Sequence, residues 1–303
     1  MSNILLTGAS GFVGKNLKQY LNHWDRFKIL ILNLRENSSL HIDATIDTII
    51  HLAGKAHDLK NISEPDDYYK VNFELTKKLY NAFLISDAKR FIFVSTVKAV
   101  ADHLKEPLTE DHLPNPQTHY GKSKLMAEKY IQSQTLPIGK SYYILRPCMI
   151  HGPGNKGNLN MLYKFVSKGL PYPLAAFKNK RSFLSVDNLC FIIKEIIERK
   201  DIPTGIYNVA DDQELSTNQV VSLLSEALKK SPWLVNVPSG FISFVAKIGD
   251  YLKLPLNTNR LDKLTENFVV SNQKIKDVLK KDLPLSSRDG ILKTANAFRG
   301  TKI

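Results

Sequence analysis

The sequence predicts an α/β fold, a doubly wound parallel sheet with a smaller C-terminal domain. In the first half, short apolar runs alternate with stretches whose apolar residues recur every four positions, which is typical of strands alternating with helices. The runs lack a polar face, as expected of strands that helices cover on both sides. After Pro147 the sequence becomes rich in glycine and proline, which predicts a second, differently built region.

Six apolar runs are the predicted strands, in chain order 4–6, 28–34, 48–52, 90–95, 142–146 and 205–209. A helix is predicted between the first two, where Val13, Leu17 and Leu21 lie at i, i+4 spacing. The other predicted helices cover 71–83, 122–132, 192–197, 217–229 and 240–252. The segment 37–47 has room for a short strand at 40–43 but none for a crossover helix.

Composition and charge exclude several classes of protein. The chain has 303 residues, 43% of them hydrophobic, which excludes disorder and allows a large core. Two cysteines, Cys148 and Cys190, cannot form a disulfide framework and indicate a reducing, cytoplasmic compartment. No apolar run approaches the ~20 residues of a membrane helix. His57 and His151 are too few for a metal site.

The formal net charge of +13 is the unusual feature of the composition. Lysine supplies 33 of the 42 positive charges, and no basic run exceeds two residues. Lysine scattered in this way predicts a solvated surface and argues against nucleic-acid binding.

A glycine-rich turn joins the first predicted strand to the first predicted helix. Glycine lets the chain turn sharply, lets a pyrophosphate approach the backbone, and lets the helix pack close to the strand. The free N–H groups of the helix N-terminus then attract the anion. The turn therefore predicts a dinucleotide site, with the loop residues Gly8, Ser10, Gly11, Phe12, Val13 and Gly14.

This turn makes residues 1–150 a predicted dinucleotide-binding Rossmann domain, to which segments near 182–210 return. Residues 151–303 mainly form a cap, with turns at 151–157 and 169–173.

The end of the second strand bears on which dinucleotide is bound. A carboxylate there would grip the ribose hydroxyls of NAD, but the run ends in Asn33, Leu34 and Arg35. A guanidinium suits a 2′-phosphate. Asn33 and Arg35 therefore favour NADP(H) over NAD(H), although Glu36 follows directly. The alternative is that Arg35 is a solvated loop residue.

Two pairs of residues are candidates for catalysis. Tyr120 and Lys124 lie at i, i+4 on a predicted helix and share a face. An ammonium beside a phenol lowers the tyrosine pKa, so that the phenol can exchange a proton with a hydroxyl while hydride moves at carbon. Ser95 and Thr96 end the fourth strand, where a hydroxyl can hold a reacting carbonyl. The alternative for Tyr120 and Lys124 is an ordinary surface pair. The alternative for Ser95 and Thr96 is that their hydroxyls only cap the end of the strand.

With these motifs together, the chain resembles the extended short-chain dehydrogenase/reductases of the NAD-dependent epimerase/dehydratase type. The matching residues span nearly the whole chain: 7–14, 51–54, Asn72, 94–96, 120–124, Arg146, Pro147, 152–154 and Arg181. The resemblance implies that Thr96, beside Ser95, and Tyr120 are catalytic. It also implies that Lys124 holds the nicotinamide ribose.

The resemblance implies further contacts with both ligands. Asp43 would contact the adenine, and the other implied cofactor residues are Leu52, Ala53, Gly54 and Pro147. Arg181 and Asn158 would contact the nucleotide diphosphate of a sugar, which makes the C-terminal domain substrate-binding. A histidine, His151, stands where the family usually has tyrosine.

Three reactions of this family compete. A 4,6-dehydratase needs an Asp-Glu pair after the catalytic threonine, where this chain has Val97 and Lys98. A 4-epimerase keeps NAD bound, whereas a reductase consumes a dissociable NAD(P)H. Arg35 in place of an acid favours a reductase. The segments 95–98, 154–158, 169–173 and 181–182 resemble reductases of UDP-2-acetamido-2,6-dideoxy-4-hexuloses from bacterial polysaccharide synthesis.

The sequence thus predicts a nucleotide-sugar oxidoreductase that reduces C4 of a UDP-4-keto-6-deoxy-N-acetylhexosamine. The alternative is a UDP-hexose or UDP-N-acetylhexosamine 4-epimerase. A non-catalytic dinucleotide-binding sensor is a remote alternative, because Tyr120 and Lys124 are intact. The apolar segment 240–252 suggests membrane contact, but a cap helix packed on the sugar site is preferred, without stable membrane insertion. A homodimer is a family expectation.

Overall fold

The structure is a computed structural model that describes residues 1–34, 40–56, 64–155, 157–252 and 257–300. Its centre is a six-stranded sheet of order β2-β1-β3-β4-β5-β8, with every neighbouring pair parallel. The strands are β1 (Ser2–Thr7), β2 (Phe27–Leu32), β3 (Thr48–His51), β4 (Arg90–Val94), β5 (Ser141–Pro147) and β8 (Gly205–Val209). The predicted doubly wound fold class is confirmed.

Eleven α-helices lie in the described ranges. The helices of the first half are α1 (Phe12–Leu21), α2 (Pro65–Tyr69), α3 (Leu75–Ile85) and α4 (His119–Ser133). A π-helical turn, Lys70–Glu74, joins α2 to α3, and a 3₁₀ turn, Val97–Ala99, follows β4. The later helices are α5 (Asn158–Ser167), α6 (Val186–Glu198), α7 (Thr217–Ala227), α8 (Ser239–Leu252), α9 (Thr258–Thr265), α10 (Gln273–Leu279) and α11 (Ser287–Gly300).

Alternate residues of the strands belong to two apolar cores on opposite faces of the sheet, because successive side chains of a strand point to opposite sides. One core joins Leu5, Ile49 and Phe91 to residues of α3 and α4. The other joins Ile4, Leu6 and Ile50 to residues of α1 and α6. Both faces are therefore covered, which explains why the strands carry continuous apolar runs.

The cap has an apolar core of its own. This core includes residues of α5, α7, α8 and α11. Two short parallel strands, β6 (Met149–His151) and β7 (Phe183–Ser185), pair beside it. β6 falls partly inside the segment predicted as a loop, and α5 was not predicted. The division at residue 150 stays a prediction.

The short strand predicted at 40–43 is wrong. Residues 40–43 are irregular, because Asp43 forms a turn in which its carboxylate accepts hydrogen bonds from the backbone N–H of Thr45 (2.8 Å) and from its hydroxyl (2.6 Å). Such side-chain bonds to nearby backbone compete with strand pairing.

Among the described residues, no helix combines the length and the apolar character needed to cross a membrane. The same residues contain no group of three His, Cys, Asp or Glu side chains placed to hold a metal ion.

Candidate active site

The glycine loop lies between the end of β1 and the start of α1, where glycine is sterically required. Gly8 has φ +72°, and a Cβ atom there would lie 2.6 Å from the backbone nitrogen of Ala53. A Cβ atom at Gly14 would lie 2.3 Å from the carbonyl oxygen of Gly8. The predicted contact residues Leu52 and Ala53 thus sit directly against the loop.

The N-terminus of α1 presents the features of an anion site. Gly11 is the N-cap and offers no side-chain cap, and the first turn contains no acidic residue. The first N–H groups of the helix and its dipole therefore face a position suited to a pyrophosphate. Ser10 is exposed at this loop, whereas Phe12 and Val13 are half-buried. The residues present fit a dinucleotide.

Of the three residues predicted near the adenosine of the cofactor, the structure describes Asn33 and Asp43. Asn33 is exposed directly after β2, whose last residue, Leu32, pairs with Thr7 before the loop. Arg35 lies outside the described residues. Asp43 is exposed, and the hydrogen bonds from Thr45 hold the pKa of its carboxyl below the ordinary value.

Tyr120 and Thr96 meet at the carboxyl end of β4. Tyr120 stands in the first turn of α4, and its side chain hydrogen-bonds to that of Thr96. Thr96 is only 7% exposed and also accepts a hydrogen bond from the Lys98 N–H. Gly121 permits this approach, since a Cβ atom there would lie 2.3 Å from the carbonyl oxygen of Lys98.

Lys124 lies one helical turn beyond Tyr120, and its ammonium lies at the carboxyl end of β4. Its ammonium donates a hydrogen bond to the Val94 carbonyl (3.0 Å) and lies 4.6 Å from the centre of the Phe93 ring. A Cβ atom on Gly54 would be 3.1 Å from the same nitrogen. Lys124 is therefore next to the strand end that adjoins the glycine loop. Pro147 ends β5 two strands away from β3.

Burial governs the protonation of Tyr120 and Lys124. Burial raises the pKa of Tyr120 to about 12, and the hydrogen bond from Thr96 offsets only part of that rise. Burial also lowers the pKa of Lys124 to about 8, against an opposite effect of Glu128. In this structure the pKa of Tyr120 is raised and not lowered, because removal from water outweighs the hydrogen bond from Thr96. The lowering by Lys124 stays a prediction.

Ser95 points away from Thr96 into a buried ion pair. Its hydroxyl donates to the Glu128 carboxylate (2.5 Å), which also accepts a hydrogen bond of 2.6 Å from the Arg146 guanidinium. Glu128 is fully buried, and Arg146 is 2% exposed. The structure therefore ties Ser95 to α4 and β5, and it places only Thr96 beside Tyr120.

A largely buried chain of hydrogen bonds links the residues beside the glycine loop to α4, and the sequence did not predict it. Its members are Ala53, Thr7, His51, Thr76, Asn72, Ser123 and Tyr120. We call this chain the relay. His51 is its centre, with Nδ1 2.7 Å from the Thr7 hydroxyl and Nε2 2.8 Å from the Thr76 hydroxyl.

The relay fixes the tautomer of His51. Thr76 donates its hydroxyl proton to the Asn72 carbonyl, so it must accept from Nε2–H of His51. Nδ1 of the neutral ring then accepts from Thr7. Burial lowers the pKa of His51 to about 3, which keeps the ring neutral. Asn72 lies in the π-helical turn, a feature common at functional sites.

The two proposed substrate residues lie in the cap. Asn158 is exposed as the first residue of α5. Arg181 is half-buried, with its backbone paired to Leu215 and Phe268. Burial lowers the pKa of Arg181, and the charge of Glu266 opposes that shift.

Comparison with known proteins identifies the family of the chain. Residues 4–210 match the family described as NAD dependent epimerase/dehydratase family. The chain is 30% identical to "UDP-glucose 4-epimerase" of Vibrio cholerae, over 98% of this chain and 95% of that protein. It is 31% identical to "N-acetyl-alpha-D-glucosaminyl-diphospho-ditrans,octacis-undecaprenol 4-epimerase" of Escherichia coli O157:H7, over 78% and 75%.

A solved structure shares the fold at lower identity. The UDP-glucuronic acid 4-epimerase of Bacillus cereus in complex with NAD gives a TM-score of 0.73 at 20% identity, covering 98% of each chain.

Proposed function

The chain belongs to the NAD dependent epimerase/dehydratase family, and we propose that it transfers a hydride at C4 of a UDP-linked hexose or N-acetylhexosamine. As a member it is an enzyme of the nucleotide-sugar epimerase and reductase type. One observation carries the proposal: Thr96, Tyr120 and Lys124 meet at the carboxyl edge of the sheet, beside a glycine loop suited to a dinucleotide.

The bound nicotinamide supplies the hydride donor or acceptor. Gly8, Gly11 and Gly14 leave room for the pyrophosphate, and Lys124 lies where it can hold the adjacent ribose. Because its phenol has a pKa of about 12, Tyr120 stays protonated until negative charge develops on a sugar oxygen. In the reducing direction Tyr120 then gives its proton to that oxygen, while the Thr96 hydroxyl holds the oxygen in place. In the oxidising direction the C4 hydroxyl gives its proton to the Tyr120 phenolate as hydride leaves C4, so that the two halves of an epimerisation balance.

The cap residues are assigned to the nucleotide. Arg181 carries a fixed positive charge in a half-buried position, which suits a diphosphate. Asn158 stands at the exposed start of α5 and is proposed as a second contact. Asn33, Asp43 and Arg35 are assigned to the adenosine end, with Arg35 favouring a 2′-phosphate.

Between the reactions of the family, we favour 4-epimerisation. Both curated relatives named above are 4-epimerases, and one aligns with nearly the whole chain. Elimination lacks an acid and base at the required places: Val97 is 3% exposed in the core, and the Lys98 ammonium lies over the Phe268 ring at 4.4 Å. The second candidate is 4-keto reduction, which the sequence of segments 95–98 and 154–158 favours.

One assay separates the two candidates. The purified chain is given UDP-N-acetylglucosamine or UDP-glucose with NAD⁺ or NADP⁺, or the 4-keto product of a 4,6-dehydratase with NADPH or NADH. An epimerase converts a UDP-sugar to its C4 epimer without net change in absorbance at the nicotinamide band. A reductase consumes cofactor in proportion to keto-sugar. Absence of both activities, or undiminished turnover by Tyr120→Phe, would overturn the proposal.

A further inference from the structure

Helix α8 has apolar residues on two of its faces. Ile242, Ala246 and Gly249 are buried, and the first two belong to the cap core. Five further apolar side chains point outward, with exposed fractions of 60% for Phe241, 61% for Phe244, 39% for Ile248, 88% for Tyr251 and 57% for Leu252. We call these five the α8 face.

The α8 face is continuous. Its members follow the spacing i, i+3, i+7, i+10 and i+11, which at 3.6 residues per turn places them within an arc of about 100°. Single exposed apolar residues are ordinary, as Leu113 and Ile138 are in this chain. Three aromatic rings and two aliphatic side chains on one helix face form a patch, and such patches mark interaction sites.

Lysine is the commonest charged residue in α8 and in the segment just before it, and Lys247 lies on α8 itself. Residues 228–252 contain three lysines, Lys229, Lys230 and Lys247, and one acidic residue, Asp250. The three lysines are exposed, while the Asp250 carboxylate accepts hydrogen bonds from Thr258. Trp233, in the segment before α8, is 60% exposed. The whole chain carries +13.

We infer that the α8 face docks on an anionic phospholipid surface. An amphipathic helix with aromatic residues outward and lysines beside them lies in the plane of a membrane interface, where rings enter the acyl boundary and ammonium groups meet lipid phosphates. Docking of this kind requires no spanning helix, in agreement with the described helices. A second copy of the chain suits the face less well, since it would bring a further +13.

The inference does not depend on the sugar or on the direction of hydride transfer. The α8 face is made of cap residues other than those proposed to contact cofactor or substrate. Catalysis on soluble UDP-sugar and docking on lipid can therefore fail separately.

Sedimentation with lipid vesicles tests the inference on the full chain. Vesicles of phosphatidylethanolamine and phosphatidylglycerol are compared with vesicles of phosphatidylcholine alone, at low and high salt. The wild type should sediment with the anionic vesicles and be released by salt. The triple variant Phe241→Ser, Phe244→Ser, Tyr251→Ser should lose at least about tenfold in partition coefficient, given the apolar area removed.

The matched control is the double variant Leu113→Ser, Ile138→Ser, which removes exposed apolar side chains elsewhere and should sediment like the wild type. Circular dichroism and turnover of soluble substrate check that both variants fold. Failure of the wild type to bind anionic vesicles overturns the inference, as does unchanged binding by the triple variant. Conversion of a dimer to a monomer by the triple variant, with vesicle binding intact, would assign the face to self-association instead.

Discussion

The edge of the sheet at the candidate active site and the cap around α8 use buried and exposed surface in opposite ways. At the sheet edge, polar side chains such as His51, Asn72 and Glu128 are fully buried and hydrogen-bonded. In the cap, apolar side chains of α8 such as Phe241 and Tyr251 are exposed. Buried polar groups without partners are costly, so the first region demands one geometry. The exposed side chains of α8 can be substituted at little cost in stability, unless a partner covers them.

The largest effect should come from the phenol of Tyr120, which hydrogen-bonds to Thr96. Tyr120→Phe keeps the ring but removes the proton donor, so kcat should fall by about 10²–10⁴-fold with little change in Tm. Tyr251→Phe, the matched change in the cap, should leave turnover on soluble UDP-sugar unchanged. Turnover assays and thermal melts of both variants measure the contrast. Equal activity of the two variants would show that the regions do not differ as described.

The relay should make stability depend on pH. His51 has a pKa of about 3 when folded and an ordinary value of 6.5 when unfolded, so the unfolded chain binds a proton first as the pH falls. The free energy of unfolding should therefore drop below pH 6.5 by up to about 1.4 kcal/mol per pH unit until the folded pKa is reached. His51→Leu should flatten this slope in urea titrations.

His41→Leu is the control for that slope, because His41 is exposed. It should keep the pH dependence of the wild type. A wild-type slope that survives in His51→Leu would mean that other groups set the acid limit of stability.

Glycines of the two regions should also respond differently. Gly14→Ala places a Cβ atom 2.3 Å from the Gly8 carbonyl oxygen, so the loop must shift. Overpacking of this kind costs about 1–3 kcal/mol, and dinucleotide affinity should fall with it. Gly240→Ala, whose Cβ atom meets nothing within 4 Å, should leave dinucleotide affinity unchanged and raise stability by no more than about 1 kcal/mol, since alanine favours the helix more than glycine does. Calorimetric cofactor titrations and thermal melts give both values, and equal losses in the two variants would contradict the steric argument.

Most of the sheet and part of the site follow from local sequence. Apolar runs predicted β1 and β3 because strands buried on both faces need such runs, and a glycine turn can be recognised from its spacing alone. Tyr120 and Lys124 are four positions apart, so their relation is local as well. Their placement beside Thr96 and Gly54 in the structure agrees with that spacing, while their catalytic roles stay predictions.

The relay and the ion pair behind Ser95 depend on contacts that no local pattern contains. His51 bonds Thr7 across 44 positions, and Ser95 bonds Glu128 across 33. Side chains of Ser95 and Thr96 leave the chain in opposite directions, so adjacency in sequence could not show which hydroxyl meets Tyr120. For α8, periodicity predicts a helix but not which apolar side finds a partner.

The smallest effect should come from replacing the buried ion pair of Glu128 and Arg146, which contacts Ser95. The effect should be a shift in the pH dependence of kcat. Burial lowers the pKa of Lys124 to about 8, and the negative charge of Glu128 opposes that shift. Activity that needs the ammonium should fall as pH rises past this value. Replacing the buried pair as a unit, Glu128→Gln with Arg146→Met, avoids leaving one charge unpaired and removes the opposing charge. The alkaline limb of the pH profile of kcat should then move to lower pH, by less than about one unit.

The variant Ser95→Ala is the control, because it retains both charges and should keep the alkaline limb in place. An unmoved limb in the double variant would show that the Glu128–Arg146 pair as a whole does not influence the charge on Lys124, and that the pair serves to hold β4, α4 and β5 together.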